Sequence, residues 1–168
     1  GVIVLHAWWG LNSVFKKLCD RLAAEGFAAL APDLNNGKVA KTIEEAKQLM
    51  SERNLEQQQT IVTTAPDFLR GRSGIQKEAL SVIGFSMGAA WSLVLSSERP
   101  ADISKVVLFY GSYYGMDFTK VQADILGHYA DTDEWEPLDD TRGMETDMRT
   151  AGLKPTFHIY PNTLHWFF

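Results

Sequence analysis

Short apolar runs alternate along the chain with longer amphipathic stretches. Gly1-Val2-Ile3-Val4-Leu5 is β-branched and apolar on both faces, the pattern of a strand buried in a parallel sheet. Residues 27–31, 79–83, 105–110, 124–129 and 156–160 repeat that pattern and predict further strands. Between them lie segments of helical period. The first opens with Asn12 or Ser13 as a cap and runs to about Glu25, where Gly26 ends it. Phe15, Leu18, Cys19 and Leu22 share one face of it, so Cys19 reads as a core residue. Thr42-Ile43-Glu44-Glu45 has capping-box spacing and opens a second helix. Glu56-Gln57-Gln58-Gln59 reads as a solvated helix start, and Pro66 as either a kink or a new start. Residues 71–74 read as a loop. Residues 89–95 predict a helix ending near Pro100, and residues 137–151 another, with Gly152 beyond its end.

Strand and helix in alternation predict βαβ units with right-handed crossovers. The expected architecture is α/β: a mainly parallel sheet with helices on both faces, in a single domain over residues 1–168. Sites in such sheets form outside the carboxyl ends of the strands. Composition narrows the picture a little. Of the 168 residues, 45% are hydrophobic and 22% charged, ordinary values for a globular chain. A net charge of −5 argues against nucleic acid as partner. The sequence holds no apolar run of membrane-spanning length and no basic-then-apolar start, so no membrane partner and a cytoplasmic location are expected. The single cysteine allows no internal disulfide.

The candidate chemistry centres on Gly84-Phe85-Ser86-Met87-Gly88, between an apolar strand and a small-residue helix start. That context makes G-x-S-x-G a nucleophile elbow. The alternative is an ordinary turn in which Ser86 only caps the helix. A serine hydroxyl needs a base. Of the four histidines, His128 and His158 fall within strands, as packed or edge residues. His6 precedes the nucleophile but could line the site. His165, in the loop after the last strand, is the candidate base. The preceding strand feeds Asp131-Thr132-Asp133-Glu134, a source for the carboxylate that orients it. Nucleophile, acid and base then follow in the order of an α/β-hydrolase. Asp131, Asp133 and His165 could also be arranged around a metal, but a triad accounts for them together with Ser86. No nucleotide or cofactor motif is present.

At these residues the chain resembles the dienelactone hydrolase family. The segments that carry the likeness are residues 5–12, 31–34, 84–88, 127–137 and 160–167. The resemblance implies an α/β-hydrolase fold without a cap domain. It places the catalytic acid at Asp133, four residues before Pro137, with Asp131 as runner-up. It implies an oxyanion hole built from the Trp8 and Met87 N–H groups. Two departures stand out. The family often carries a cysteine nucleophile with an acidic residue in the first loop; here Ser86 and Ala7 take those places. The family also usually has a strand or two before Gly1 and a helix after His165, so a chain trimmed at both ends is expected.

The resulting expectation is a hydrolase of small carboxylic esters or lactones that needs no cofactor or metal and acts as a monomer or weak dimer. A thioesterase or acyl-peptide hydrolase with the same triad, and a non-catalytic ligand-binding protein of this fold, are the alternatives. His6, Trp9, Tyr113, Trp135 and Trp166 are expected to line the substrate pocket beside Trp8, as is Tyr114. The loops themselves hold no Arg or Lys, so no partner for a substrate carboxylate is expected in them.

Overall fold

The computed structural model describes residues 1–72, 74–75 and 80–168. The expected strand start at Ala79 and part of the expected loop at 71–74 lie outside the described residues. The elements are β1 (Val2–Leu5), α1 (Ser13–Ala24), β2 (Ala29–Leu30), α2 (Ile43–Glu52), α3 (Leu55–Arg70), β3 (Leu80–Phe85), α4 (Met87–Glu98), β4 (Ile103–Phe109), β5 (Asp124–Ala130), α5 (Leu138–Thr150) and β6 (Thr156–Tyr160). The six strands form one parallel sheet in the order β2-β1-β3-β4-β5-β6.

Alternate side chains of each strand feed two cores. Ile3 and Leu5 of β1, with Leu80 and Val82 of β3, pack against α3, α4 and α5. Val2, Val4 and Phe85 point the other way, onto Phe15 and Leu18 of α1. Burying a side chain of that size contributes about 1.5–3 kcal/mol. Cys19 sits half-buried at the edge of this second core, as its helical spacing predicts. Asn12 caps α1 by accepting from the Val14 N–H, and Thr42 caps α2 by accepting from Glu45.

Two elements differ from expectation. The second strand is two residues long, because β2 is an edge strand paired only through Val2–Ala29 and Ile3–Leu30. Its expected start, Phe27, instead gives its N–H to Leu22 O, closing the end of α1. The segment at residues 56–59 is not simply solvated: Gln58 is buried inside α3, donating to Leu34 O at 3.0 Å and accepting from Trp91 Nε1 at 3.3 Å. Helix α3 runs unbroken through Pro66. Among the described residues, no helix is long and apolar enough to cross a membrane.

Register aligns the carboxyl ends of the strands. Leu5 pairs with Gly84, Phe85 with Phe109, Phe109 with His128, and Ala130 with Tyr160. The loops that follow therefore emerge along one edge. The tightest crossing there is at Gly88, where a Cβ would lie 2.1 Å from Leu5 O, a backbone atom that cannot swing aside. Gly88→Ala should cost about 3 kcal/mol through overpacking, lowering the Tm by roughly 6–12 °C. Gly143→Ala, in open space on α5, should leave the melt unchanged or raise it. Thermal melts followed by circular dichroism check both.

Candidate active site

Ser86 occupies the turn between β3 and α4 with φ 52° and ψ −117°, a left-handed backbone that costs about 1–3 kcal/mol for a non-glycine residue. The turn is held by neighbours that would reject any side chain. A Cβ on Gly84 would lie 2.2 Å from Gly88 O. The Ser86 N–H donates to Phe109 O at 2.9 Å, tying the turn to β4. Ser86 makes no side-chain cap bond to α4, which sets aside the simple N-cap reading.

His165 reaches Ser86 from the loop after β6. Its Nε2 lies 3.2 Å from Ser86 Oγ and its Nδ1 lies 2.7 Å from Asp133 Oδ2. Both partners of the shorter contact are withdrawn from solvent, the side chains being 3% and 1% exposed. Burial alone would raise the Asp133 carboxyl, but the bond from His165 and the N–H groups of Trp135 and Glu136 outweigh it and hold it below the usual carboxylate range. Asp131 is not in contact with the histidine. It accepts from the N–H groups of Asn162 and Thr163 at 3.0 and 3.3 Å, so it anchors the loop that carries His165. The structure thus brings together Ser86, Asp133 and His165 and gives Asp131 a separate post.

The loop after β1 passes beside this cluster. Among the described residues, neither the Trp8 nor the Met87 N–H is taken by a hydrogen bond. The loop is braced by Asn35 Nδ2, which donates to Trp8 O, and by Ala40 N, which donates to Trp9 O. A cleft of about 830 Å³ opens over Ser86 and His165, walled by Trp8, Tyr113, Trp135 and Trp166.

Several expected pocket residues need correction. His6 is completely buried and does not face the cleft. Its Nδ1–H donates to Ala7 O at 2.7 Å, and its Nε2 accepts from Leu34 N at 3.0 Å. It ties the first loop to the segment after β2. Trp9 is not in the cleft wall either: its ring packs 5.6 Å from that of Trp166, behind the wall. Tyr114 projects into solvent, 81% exposed. Cations do reach the cleft: Arg53, between α2 and α3, and Lys120, before β5, line it. Trp91 and Met87 of α4 and the carboxylate of Glu136 also belong to it. Sequence reasoning missed Arg53 because it follows a helix, not a strand, and Glu136 because it matches no motif. His128 and His158 stack across β5 and β6 with centroids 5.6 Å apart, the half-buried His128 beside the exposed His158 of the edge strand.

The sheet order, the elbow and the histidine loop define an α/β-hydrolase. The chain belongs to the dienelactone hydrolase family, which it matches over residues 1–168. It is 31% identical over 175 residues to "Protein usf" of Aquifex pyrophilus, spanning 99% of this chain and 76% of that protein. It is 25% identical over 174 residues to an Aquifex aeolicus (strain VF5) protein provisionally named a carboxymethylenebutenolidase, spanning 99% and 75%. A crystal structure from Klebsiella pneumoniae subsp. pneumoniae MGH 78578, provisionally described as a dienelactone hydrolase, superposes with a TM-score of 0.87 at 25% identity, covering 99% of this chain and 75% of that one.

The buried His6 carries a pH signature. Burial lowers its pKa below the ordinary 6.5, with the bond to Ala7 O and nearby Asp33 opposing only in part. The unfolded chain then binds the extra proton more readily. The stability His6 contributes is complete above the ordinary value and is lost as pH falls below it. His6→Gln should flatten the fall in stability between about pH 7.5 and 5, measured by urea unfolding against wild type, whose other histidines are common to both proteins.

Proposed function

We propose that the chain is a serine hydrolase of small carboxylic esters or lactones. The observation that carries this reading is His165 standing between Ser86 Oγ and Asp133, at 3.2 and 2.7 Å. His165 in its neutral form has a lone pair on Nε2 for the Ser86 proton while Nδ1–H donates to Asp133. Ser86 Oγ then attacks the ester carbonyl, and the carbonyl oxygen gains the negative charge. The Trp8 and Met87 N–H groups receive that charge, Met87 from the positive end of α4. Collapse breaks the bond to the alcohol oxygen, which receives from His165 the proton that came from Ser86. Water, activated by the same histidine, releases the acid and restores Ser86. In a lactone the alcohol and acid remain one molecule. A cleft of about 830 Å³ with tryptophan and tyrosine walls suits a small, partly apolar substrate.

A fluorophosphonate probe should label Ser86 in wild type and fail to label Ser86→Ala or His165→Ala. Absence of label on folded wild-type protein would overturn the reading. Asp133→Asn should lower p-nitrophenyl acetate hydrolysis by about 10⁴-fold. Asp131→Asn should cost less than about 10²-fold, the scale of a misplaced catalytic group. A reversed order would move the acid role to Asp131.

A further inference from the structure

The ionisable side chains around the cleft are unevenly placed. Arg53, Glu98, Asp117 and Lys120 are all exposed, at its rim. His165 and Glu136 are the ones drawn inward: His165 meets Ser86, and Glu136 lies near enough to His165 and Asp133 to feel their charges. His165 is already committed to Asp133 and Ser86. Among the described residues Glu136 is committed at one oxygen: its Oε2 accepts from the Ser112 hydroxyl at 2.6 Å, while its backbone N–H holds Asp133. The inner cleft thus carries a carboxyl with acceptor capacity to spare and, among the described residues, no basic side chain bonded to it.

The surrounding wall is of a matching kind. Trp8, Tyr113, Trp135 and Trp166 face the same space. The Trp8 ring lies 5.0 Å from that of Trp135 and is stacked with that of Trp166 at 6.3 Å. Aromatic faces attract cations through the ring quadrupole, and an aromatic wall with a carboxylate is the usual setting for an ammonium group. Trp135 already has a cation over its ring, Lys47 Nζ at 5.7 Å from the centroid.

We infer that Glu136 and the tryptophan wall form a subsite for an ammonium group, so that the substrates are esters carrying a positive charge within a few bonds of the scissile carbonyl. This rests on the reading of the chain as an ester hydrolase. Glu136 selects by opposite charge: it favours a cation, leaves a neutral ester to the apolar wall, and repels a carboxylate held next to the triad. The exposed Arg53 and Lys120 sit where solvent screens them. Desolvation, with Asp133 and Asp140 nearby, pushes the Glu136 carboxyl above its usual range, only partly offset by Ser112 and His165. A bound cation reverses part of that penalty, as opposite charges do.

Two isosteric substrate pairs test this. Acetylcholine against 3,3-dimethylbutyl acetate places the charge on the alcohol side. Betaine ethyl ester against ethyl 3,3-dimethylbutanoate places it on the acyl side. In at least one pair, kcat/KM should favour the cation, and Glu136→Gln should shrink that ratio about tenfold. Ser112→Ala keeps the carboxylate and should retain the preference, so loss of the ratio cannot be put down to a disturbed loop. On wild type alone, choline should inhibit p-nitrophenyl acetate hydrolysis at about tenfold lower concentration than 3,3-dimethylbutan-1-ol if the alcohol pair shows the preference. Ratios unchanged by Glu136→Gln in both pairs, with neutral esters still turned over, would overturn the subsite and leave the hydrolase reading intact. No turnover of any ester would instead overturn the hydrolase reading.

Discussion

The backbone crossing at Ser86 is the constraint on which the rest of the site depends. Three strand ends meet there without room for side chains. Gly84 lies against Gly88 O, Gly88 against Leu5 O, and Gly111 against Ser86 O. The strain in Ser86 is therefore held from three sides, and it cannot relax without moving β1, β3 or β4. Tyr110, one residue past β4, repeats the device with φ 39°. Its ring packs 4.8 Å from His165 and 5.5 Å from Trp166. Ser86, the first loop and the histidine loop are thereby referred to one rigid frame, the kind of preorganisation that the proposed acyl transfer needs.

Two aspartates two residues apart divide the work of placing His165. Asp131 uses its carboxylate on the backbone of Asn162 and Thr163, where Asn162 adopts φ 57°. That fixes the path of the loop. Asp133 uses one oxygen on His165 and the other on the N–H groups of Trp135 and Glu136. That fixes the ring. The two carboxylates are kept ionised by different partners, Asp131 chiefly by backbone and Asp133 chiefly by the imidazole against its own burial. A single carboxylate could not do both, because the loop backbone and the ring approach from different directions.

What could be read from the sequence follows from this geometry. Ser86, Asp133 and His165 each lie in the turn or loop that follows a strand, and a parallel sheet delivers those loops to one edge whatever the helices do. Apolar runs and small-residue turns were therefore enough to find them. Asp133 over Asp131 needed the family resemblance, since both lie in one loop and spacing alone allows either. The pocket wall was harder. His6 looked like a loop residue because it ends an apolar run, yet it is buried by contacts with Leu34, twenty-eight positions away. Gln58 looked solvated because it lies in the polar run Glu56-Gln57-Gln58-Gln59. Its partners, Leu34 O and Trp91, come from other elements. Arg53 enters from the connection between α2 and α3, which no strand-end rule points to. Local pattern reports an element's own preference, and these positions are decided by tertiary contact.

The family resemblance would place an acid in the first loop where this chain has Ala7. Ala7 has no exposed surface and belongs to the core beneath α1, with Phe15 and Leu18. A carboxylate there would be enclosed among apolar side chains at a cost of several kcal/mol unless paired. A thiolate nucleophile can draw on such a neighbour to set its charge state, whereas a serine takes its activation from the base alone. With Ser86 in place, a carboxylate beneath the first loop would have no proton to manage. Besides Asp133, an acidic group lies in the cleft lining at Glu136, where the Ser112 hydroxyl donates to it. In the proposed reaction, that carboxylate would act on the incoming substrate and not on the attacking atom.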